Sequence, residues 1–251
     1  MKTGIIVQAR LGSTRLPGKI LKHFYDGKTL LETLLDKLHS VKEIPIIVAT
    51  SISTNDDRLE SFLKSKGELV FRGSESDVLS RFISAARANG IDNIVRICSD
   101  NPFIDIDGIN RLIESSRCNE ADYIGFRIND KPSILTHFGF WGEFVRLSAL
   151  EKVAKTTPTG SPAHEHVTYH IYNHPDEYKC KWIMAPQFLQ GRKDIRLTVD
   201  TPDDFANAQT VYADLMAENR AFTLTDIVDY LDKHISVKES MLHNIDSNIK
   251  K

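Results

Sequence analysis

Cysteine is scarce in this sequence: the 251 residues include three, Cys98, Cys118 and Cys180, which lie far apart and form no CxxC pair. A disulfide framework and a cysteine-based zinc site are therefore disfavoured, and the expected location is a reducing cytoplasm. Long apolar runs are also missing, since no stretch approaches the roughly 20 residues that span a bilayer. The first residues lead directly from a strand into a glycine-containing loop, so we expect no signal peptide.

An excess of charge of one sign is missing as well. Lysine and arginine together number 32, aspartate and glutamate 34, and the formal net charge is −2. Such a chain has no general attraction for nucleic acid or for an anionic membrane, so any site for an anion has to be local. The composition, 41% hydrophobic and 26% charged, is that of an ordinary globular protein.

The most distinctive stretch follows the apolar residues 4–7, which we predict to form a buried first strand. It reads Gln8-Ala9-Arg10-Leu11-Gly12-Ser13-Thr14-Arg15-Leu16-Pro17-Gly18-Lys19. Its glycines, small hydroxyls and three cations are what a chain of phosphates requires, although the spacing is neither GxxxxGK[ST] nor GxGxxG. The alternative is a basic surface turn between a strand and a helix.

Strand and helix patterns alternate through the first half of the chain. A capping box at Thr29 opens a helix with leucines at helical spacing. Further helices are predicted over 55–66 and 77–89, another is predicted with Asp107 as its cap, and strands are predicted over 44–50, 68–71, 93–98 and 121–126. Repeated βα steps predict an α/β fold with an open, mostly parallel sheet flanked by helices.

The pattern changes after about residue 127. The aromatic, glycine-spaced residues 137–141 and a turn-rich stretch near 156–162 indicate an insertion subdomain over 128–186. Its aromatic residues suit an oligomer contact or a sugar-binding wall, and equally the core of the same domain. A helix over 164–173 and a strand over 177–184 are predicted within it. A strand over 195–199 and a helix beginning at Thr201 then follow, and the polar tail from Val237 is expected to fray.

Three features fall at the ends of predicted strands: the loop of residues 10–19, Asp100 and Asp200. In an open parallel sheet, ligands bind outside the carboxyl ends of the strands, so we expect these features to share one edge. Mg²⁺ is typically held by one or two carboxylates together with phosphate oxygens. The pattern predicts a triphosphate on the loop with Mg²⁺ bridging it to the two aspartates. Turn and helix-cap roles are the alternative for each aspartate.

The histidines and Cys98 give weaker signals. His164, His166 and His170 do not have the HExxH spacing, so we expect a polar helix face rather than a zinc site. Cys98 ends an apolar strand and is predicted to be a buried thiol.

Five blocks of sequence carry a family resemblance, and they span most of the chain: residues 8–19, 71–79, 99–102, 165–168 and 199–204. They resemble the cytidylyltransferases that activate acidic sugars, a superfamily that includes acylneuraminate and 3-deoxy-manno-octulosonate cytidylyltransferases. Within it, the likeness is greatest to the branch of spore coat polysaccharide biosynthesis protein F.

The resemblance implies a glycosyltransferase-A-like fold and a single nucleotidyltransferase domain over 1–251. The implied reaction transfers CMP from CTP to a sugar, most often an acidic one, and releases pyrophosphate for surface polysaccharide or glycoconjugate synthesis. Mg²⁺ is the implied cofactor, and the implied assembly is a homodimer formed through the 128–186 subdomain, with no nucleic acid or membrane partner. Two alternatives remain: a glycosyltransferase that uses a finished nucleotide sugar, for which Asp105-Ile106-Asp107 is the candidate DxD motif, and a non-catalytic nucleotide-binding protein.

The resemblance also assigns site residues by position. Arg10, Lys19 and Asp100 are the implied catalytic residues, and Asp100 and Asp200 the implied metal ligands. Residues implied to bind the nucleotide or the sugar are, for the nucleotide, Ala9, Arg10, Gly12, Ser13, Lys19, Arg72, Gly73 and Ser99, and for the sugar, His137, Trp141 and Arg196.

The sequence departs from the family pattern at three positions around the expected site. Cys98 stands where the octulosonate enzymes have Gln, Asn101 where they have Glu, and Thr198 where sialate enzymes often have a second acid. Nucleotide and metal handling are therefore expected to transfer better than sugar choice. A sugar acid needs a cation for its carboxylate, and the candidates are Arg72, Arg96, Arg127 and Arg196.

Overall fold

The structure is a computed structural model that describes residues 1–118, 120–218 and 221–247. Its strands are β1 (Thr3–Gln8), β2 (His23–Tyr25), β3 (Lys28–Thr29), β4 (Ile46–Ser51), β5 (Leu69–Gly73), β6 (Asn93–Cys98), β7 (Tyr123–Ile128), β8 (Lys131–Pro132), β9 (Glu143–Arg146) and β10 (Cys180–Met184). Its α-helices are α1 (Leu30–Leu38), α2 (Asp57–Ser65), α3 (Val78–Ala88), α4 (Ile106–Arg117), α5 (Leu147–Thr156), α6 (Pro162–Glu165), α7 (Tyr169–Asn173), α8 (Pro202–Glu218), α9 (Leu224–Lys233) and α10 (Ile235–Ser247).

The main sheet has eight strands in the order β10-β7-β9-β6-β1-β4-β5, with β8 paired to β7. Strands β6, β1, β4 and β5 are parallel neighbours. Strand β9 lies antiparallel between β6 and β7. This mostly parallel sheet flanked by helices confirms the predicted α/β architecture.

Both faces of the sheet are covered, which is why its central strands are continuous apolar runs. Ile5 and Val7 of β1 belong to one buried cluster and Ile6 to the other, because successive side chains of a strand point to opposite faces. The leucines of α1 pack on the first face. The predicted capping box begins that helix: the Thr29 hydroxyl accepts from the Glu32 N–H, and the Glu32 carboxylate accepts from the Thr29 N–H at 2.8 Å.

The predicted strand over 195–199 is wrong, since this segment is irregular. Its backbone is bound to loops rather than to a strand: the Leu197 and Thr198 N–H groups donate to the His137 carbonyl, and the Val199 N–H donates to the Asp100 carbonyl at 3.0 Å. The apolar side chains of the segment are buried all the same. Burial produced the strand-like pattern without strand pairing.

Three predicted helix positions also change. The helix over 164–173 is broken after Glu165, and α7 begins only at Tyr169. Asp107 lies inside the first turn of α4, which begins one residue earlier. Residues 237–247 belong to α10 instead of fraying, because Met241 is buried and the Asn244 side-chain amide donates to Asp204 at 3.2 Å. The rest of the predicted tail, 248–251, lies outside the described residues.

The segment 128–186 contributes strand β9 to the interior of the sheet and β10 to its edge. Its role as a dimerisation subdomain stays a prediction. Its aromatic residues Phe138, Phe140 and Trp141 are buried, in agreement with the core alternative. In the part of the chain that the structure describes, no helix has the length and apolar character needed to cross a membrane.

Candidate functional site

The loop after β1 is held in place by a buried carboxylate. Asp56, 2% exposed, accepts from the Leu11 N–H at 2.8 Å and from the hydroxyls of Thr50 and Ser51 at the end of β4. Burial alone raises the pKa of Asp56, but these hydrogen bonds outweigh it and leave the pKa below its usual value. Gly18 has φ +65°, a conformation that favours glycine, and it precedes Lys19. The loop is therefore anchored to the neighbouring strand.

Lys19 brings the two predicted metal ligands together. Its Nζ lies 2.9 Å from Asp100 Oδ2 and 3.5 Å from Asp200 Oδ1, and it donates to the Val199 carbonyl. Burial lowers the pKa of the Lys19 amine, but the two carboxylates outweigh it, and the pKa lies above its usual value. Lys19 is therefore a charged ammonium at neutral pH.

Each aspartate is positioned by backbone contacts across the sheet edge. The Ser99 N–H donates to the Gln8 carbonyl at 3.1 Å, so Asp100 leaves β6 beside the end of β1. Asp200 reaches the same place from the irregular segment 195–199, and Arg15 Nη2 lies 3.2 Å from its carboxylate. The three features predicted to share one edge do share it.

Arg196 and His137, expected at the sugar, lie behind this carboxylate pair. Arg196 is 1% exposed and pairs with Asp204 through two contacts, at 2.7 and 2.8 Å. Its Nη1 lies 2.8 Å from His137 Nδ1, and its Nη2 lies 3.4 Å from Asp200. Arg196 therefore helps to hold Asp200 in position. The positive charge of Arg196 is itself balanced by the Asp204 carboxylate.

Two cavities meet at the carboxylates. The first, which we call the loop cleft, has a volume of about 260 Å³ and is lined by residues of the loop, including Arg10, Gly12, Ser13 and Lys19, and by Ser99. The second, which we call the inner cavity, has a volume of about 140 Å³ and lies among residues 133–141, Asn101 and Thr198. The residues that line both are Arg15, Cys98, Asp100 and Asp200.

The Cys98 prediction is therefore corrected: the side chain is partly exposed, because strand β6 ends where the two cavities meet. Trp141, expected at the sugar, does line the inner cavity. Its ring stacks on Phe126 with centroids 4.5 Å apart, and its indole N–H donates to Asp105 at 3.0 Å. These contacts fix the ring as a rigid wall.

Three residues assigned to the nucleotide are not among the described residues that line the loop cleft. Ala9 is buried, and its N–H donates to the Ala49 carbonyl. Arg72 forms ion pairs of 2.7 Å with Asp57 and Glu60, and it donates to the carbonyls of Ser51, the last residue of β4, and of Ser53 just beyond it. Gly73, at the end of β5, is not among the described residues that line the loop cleft, and neither is Arg72.

Two buried arginines near the site, Arg96 and Arg81, belong to no motif that can be recognised in the sequence. Arg96 pairs with Glu143 at 2.6 Å and donates to the side chain of Gln8, which lines the loop cleft. Arg81, 1% exposed, has a pKa lowered by burial and by the nearby charge of Arg10. The only hint of either in the sequence is a charged residue inside an apolar run.

The carboxylates of Asp100 and Asp200 suit a metal ion that is also bound by phosphate oxygens. Among the described residues, no group of three or more His, Cys, Asp or Glu side chains is placed to hold an ion. Asp100 and Asp200 nevertheless converge on one cation, the Lys19 ammonium. Two carboxylates completed by phosphate oxygens are a usual Mg²⁺ environment. His164 Nδ1 lies 2.9 Å from an oxygen of the Asp77 carboxylate.

The comparison with known proteins agrees with this arrangement. Residues 4–229 match the family model described as cytidylyltransferase. Protein MJ1063 of Methanocaldococcus jannaschii is 38% identical over 253 residues, which covers 100% of this chain and 96% of that protein. Spore coat polysaccharide biosynthesis protein SpsF of Bacillus subtilis is 33% identical over 212 residues, 82% of this chain and 85% of that protein.

Solved structures show the same fold. A cytidylyltransferase from Leptospira borgpetersenii has a TM-score of 0.81 at 29% identity and covers 94% of this chain and 96% of its own. A CMP:2-keto-3-deoxy-manno-octonic acid synthetase complexed with CTP has a TM-score of 0.63 at 17% identity, covering 87% and 99%. The second likeness concerns the fold alone. The predicted fold and the predicted family resemblance are both confirmed.

Proposed function

Because the chain belongs to the cytidylyltransferase family, we propose that it transfers CMP from CTP to a sugar hydroxyl and releases pyrophosphate. The observation that carries the proposal is the meeting of two cavities at Asp100 and Asp200. Transfer requires the acceptor hydroxyl and the α-phosphate to be held in contact and in line. We assign that contact to the wall shared by the loop cleft and the inner cavity.

The loop cleft supplies the groups that a triphosphate needs. Arg10, Lys19 and Ser13 line it, and Arg15 lies at its boundary with the inner cavity. Phosphoryl transfer depends on positioning and on neutralising charge rather than on covalent help from the protein. We assign Lys19 and Arg10 to the triphosphate, where their charges stabilise the leaving pyrophosphate.

We propose Mg²⁺ as the cofactor, held by Asp100 and Asp200 together with phosphate oxygens of CTP. When bound, it supplies positive charge at the phosphates during transfer. In the structure, the Lys19 ammonium contacts both carboxylates and offsets their charge. With the nucleotide in place, its ammonium is free to contact phosphate.

The glycosyltransferase alternative requires a DxD motif at the nucleotide. Asp105 of the only candidate accepts from the Trp141 indole N–H and precedes α4, and Asp107 is exposed. Neither residue is among the described residues that line the loop cleft. Asp105 therefore has a structural partner, which favours the nucleotidyltransferase proposal.

We extend the proposal to surface polysaccharide or glycoconjugate synthesis, because the name of the Bacillus subtilis relative places it in spore coat polysaccharide biosynthesis. A cytoplasmic location and a homodimer remain predictions. Both are open to direct test by fractionation and by measurement of the mass in solution.

The test is pyrophosphate release from CTP with Mg²⁺ and a panel of sugars. We expect release that depends on a sugar, stops on chelation of the metal and is lost in Asp100→Asn. The matched control is Asp107→Asn, which removes a carboxylate from the candidate DxD motif and should keep full activity. Loss of activity in Asp107→Asn but not in Asp100→Asn contradicts the proposal, and CTP binding without turnover on any sugar favours the non-catalytic alternative.

A further inference from the structure

We propose that Lys37 and the cavity around it form an acylation site, at which the Lys37 amine takes a small acyl group from an acyl phosphate. This space, which we call the Lys37 cavity, has a volume of about 390 Å³ and is lined by Lys37, residues 103–107 and residues 221–225, among others. The inference does not depend on CMP transfer. Three features support it: the surroundings of the amine, its lack of an acidic partner and the chemistry of the product.

Aromatic rings lie against the end of the Lys37 side chain. Its Nζ lies 4.8 Å from the centre of the Phe222 ring and 6.0 Å from the centre of the Tyr212 ring. These two rings and Phe103 pack on one another, with centroids 5.3 to 6.1 Å apart. The faces of the rings attract an ammonium, but they also exclude the water that keeps an amine protonated. The surroundings therefore favour the uncharged amine more than bulk water does.

Among the residues that the structure describes, the Lys37 amine has no acidic partner, since its Nζ makes no hydrogen bond and no ion pair. The titratable groups that face it are Asp105 and Asp107 at the start of α4 and Tyr212 of α8. Burial raises the pKa of Tyr212 to about 12, so its phenol is neutral. Burial lowers the pKa of Lys37 to about 8, with Asp105 opposing the shift. The uncharged amine is therefore well populated near neutral pH.

An uncharged lysine amine in an apolar cavity is a nucleophile. In the step that we propose, the Nζ lone pair forms a bond to the acyl carbon, and the bond from that carbon to the phosphate oxygen breaks. Inorganic phosphate leaves with the bonding electrons and takes up the proton that the amine loses. The product is a neutral amide, which removes the cost of a buried charge without a partner.

The Lys37 cavity adjoins the inner cavity through Asp105. Asp105 lines the Lys37 cavity, and its Oδ2 accepts from the Trp141 indole N–H at 3.0 Å. Trp141 in turn lines the inner cavity. Acylation of Lys37 therefore removes a charge beside the residue that holds one wall of the proposed acceptor site.

The direct test treats the full chain with acetyl phosphate near neutral pH and follows each lysine by peptide mass mapping. We expect Lys37 to be acetylated about tenfold faster than the exposed Lys22, because the uncharged fraction of an amine grows as its pKa approaches the working pH. Acetylation of Lys37 that is no faster than that of Lys22 overturns the proposal.

A pair of variants tests the contribution of the cavity. Phe222→Ala removes the ring 4.8 Å from Nζ and admits water, so we expect acetylation of Lys37 to slow by about threefold to tenfold. Phe188→Ala removes a ring that also lines the cavity but is 42% exposed, and it should change the rate by less than about twofold. Equal rates in the two variants contradict the role of the cavity.

The cost of the buried charge gives a second measurement. The pKa of Lys37 is lower in the folded chain than the ordinary lysine value, so protonation of Lys37 favours unfolding, fully below about pH 8 and no longer above about pH 10. Lys37→Met is uncharged, as the amide is, and we expect it to raise the midpoint of urea unfolding at pH 7. The gain should shrink as the pH rises from about 8 to about 10. No gain at pH 7, or a gain that is the same at pH 10, refutes the buried, unpaired charge on which the proposal depends.

Discussion

At the scale of single residues, Lys19 is the link between the phosphate loop and the carboxylates. Its ammonium is within 3.5 Å of both Asp100 and Asp200, although 81 and 181 residues separate them from it in sequence. The same group offsets the charges of these two carboxylates and, in our proposal, contacts the triphosphate when CTP binds. Its removal should therefore affect catalysis more than folding.

We expect Lys19→Met to lower the rate of pyrophosphate release by a factor on the order of 100 to 1000, since it removes a fixed charge that stabilises the leaving group. The control is Lys22→Met, which removes an exposed lysine three residues later and should leave the rate unchanged. Circular dichroism verifies that both variants fold. A Lys19→Met rate within a few fold of wild type would contradict the assigned role.

The ionisation of Asp204 should make the stability of the protein depend on pH. Burial raises its pKa, but hydrogen bonds and the charge of Arg196 outweigh burial and hold the pKa below the usual 3.8. The ion pair therefore contributes stability above that value, and the contribution is lost as pH falls through the lower pKa of the folded state.

We expect Asp204→Asn to lower the free energy of unfolding by about 3 kcal/mol at neutral pH, because it leaves the Arg196 guanidinium buried without its carboxylate. The loss should shrink below about pH 4, where wild type also begins to lose the pair. Urea denaturation across this pH range measures the difference. Asp203→Asn, an exposed neighbour in the same helical turn, is the control, and an unchanged difference at all pH values refutes the assignment.

At the scale of elements, the loop after β1 is held to the end of β4 by hydrogen bonds. Its anchor is Asp56, which receives hydrogen bonds from Leu11 and from two hydroxyls of β4. Helix α1 contributes a different feature, the half-buried Lys37, whose Nζ lies 4.8 Å from the centre of the Phe222 ring. We make one prediction for Asp56 and one for Lys37.

Asp56→Asn should loosen the loop without removing any residue that lines the cleft. The change replaces a carboxylate that accepts several hydrogen bonds, so we expect a loss of about 1–3 kcal/mol in the free energy of unfolding and weaker CTP binding by calorimetry. Asp57→Asn alters the exposed ion pair with Arg72 and should cost less than about 1 kcal/mol. Equal losses in the two variants contradict the anchoring role.

Lys37 in α1 should react faster with an acylating reagent than Lys28, which lies just before the helix. Burial lowers its pKa to about 8, with Asp105 opposing the shift, whereas the pairing of exposed Lys28 with Asp36 raises the pKa of Lys28. At pH 8 a large share of Lys37 is therefore uncharged and nucleophilic, and we expect it to be acylated about tenfold faster than Lys28. Peptide mass mapping after brief labelling measures both rates; faster labelling of Lys28 would show that Lys37 has no lowered pKa.

At the scale of the whole molecule, the edge of the sheet brings distant segments into one site. The loop and Asp100 were predictable because β1 and β6 are apolar runs, and parallel neighbours end at the same edge. Asp200 reaches the predicted place although its strand does not exist, because backbone bonds to His137 and Asp100 replace strand pairing. Those bonds join residues far apart in sequence and leave no local pattern.

The arginines show the limit of sequence reasoning most clearly. A cation in an apolar run suits both an anion site and an internal ion pair, and only the fold reveals the partner. Glu143 reaches Arg96 through the antiparallel insertion of β9 into the sheet, a pairing that no periodicity predicts. Arg196 was likewise expected at the sugar, and only the fold shows that its guanidinium forms an ion pair with Asp204.

The central claim is that CMP leaves CTP at the wall formed by Asp100 and Asp200. The most direct measurement follows CTP labelled at the α-phosphate in the presence of Mg²⁺ and a panel of acidic and neutral sugars. We expect the label to move into a sugar-linked CMP with one pyrophosphate released for each transfer, and Asp100→Asn to form none. Label that remains in CTP, or appears in CDP with free phosphate, would contradict it.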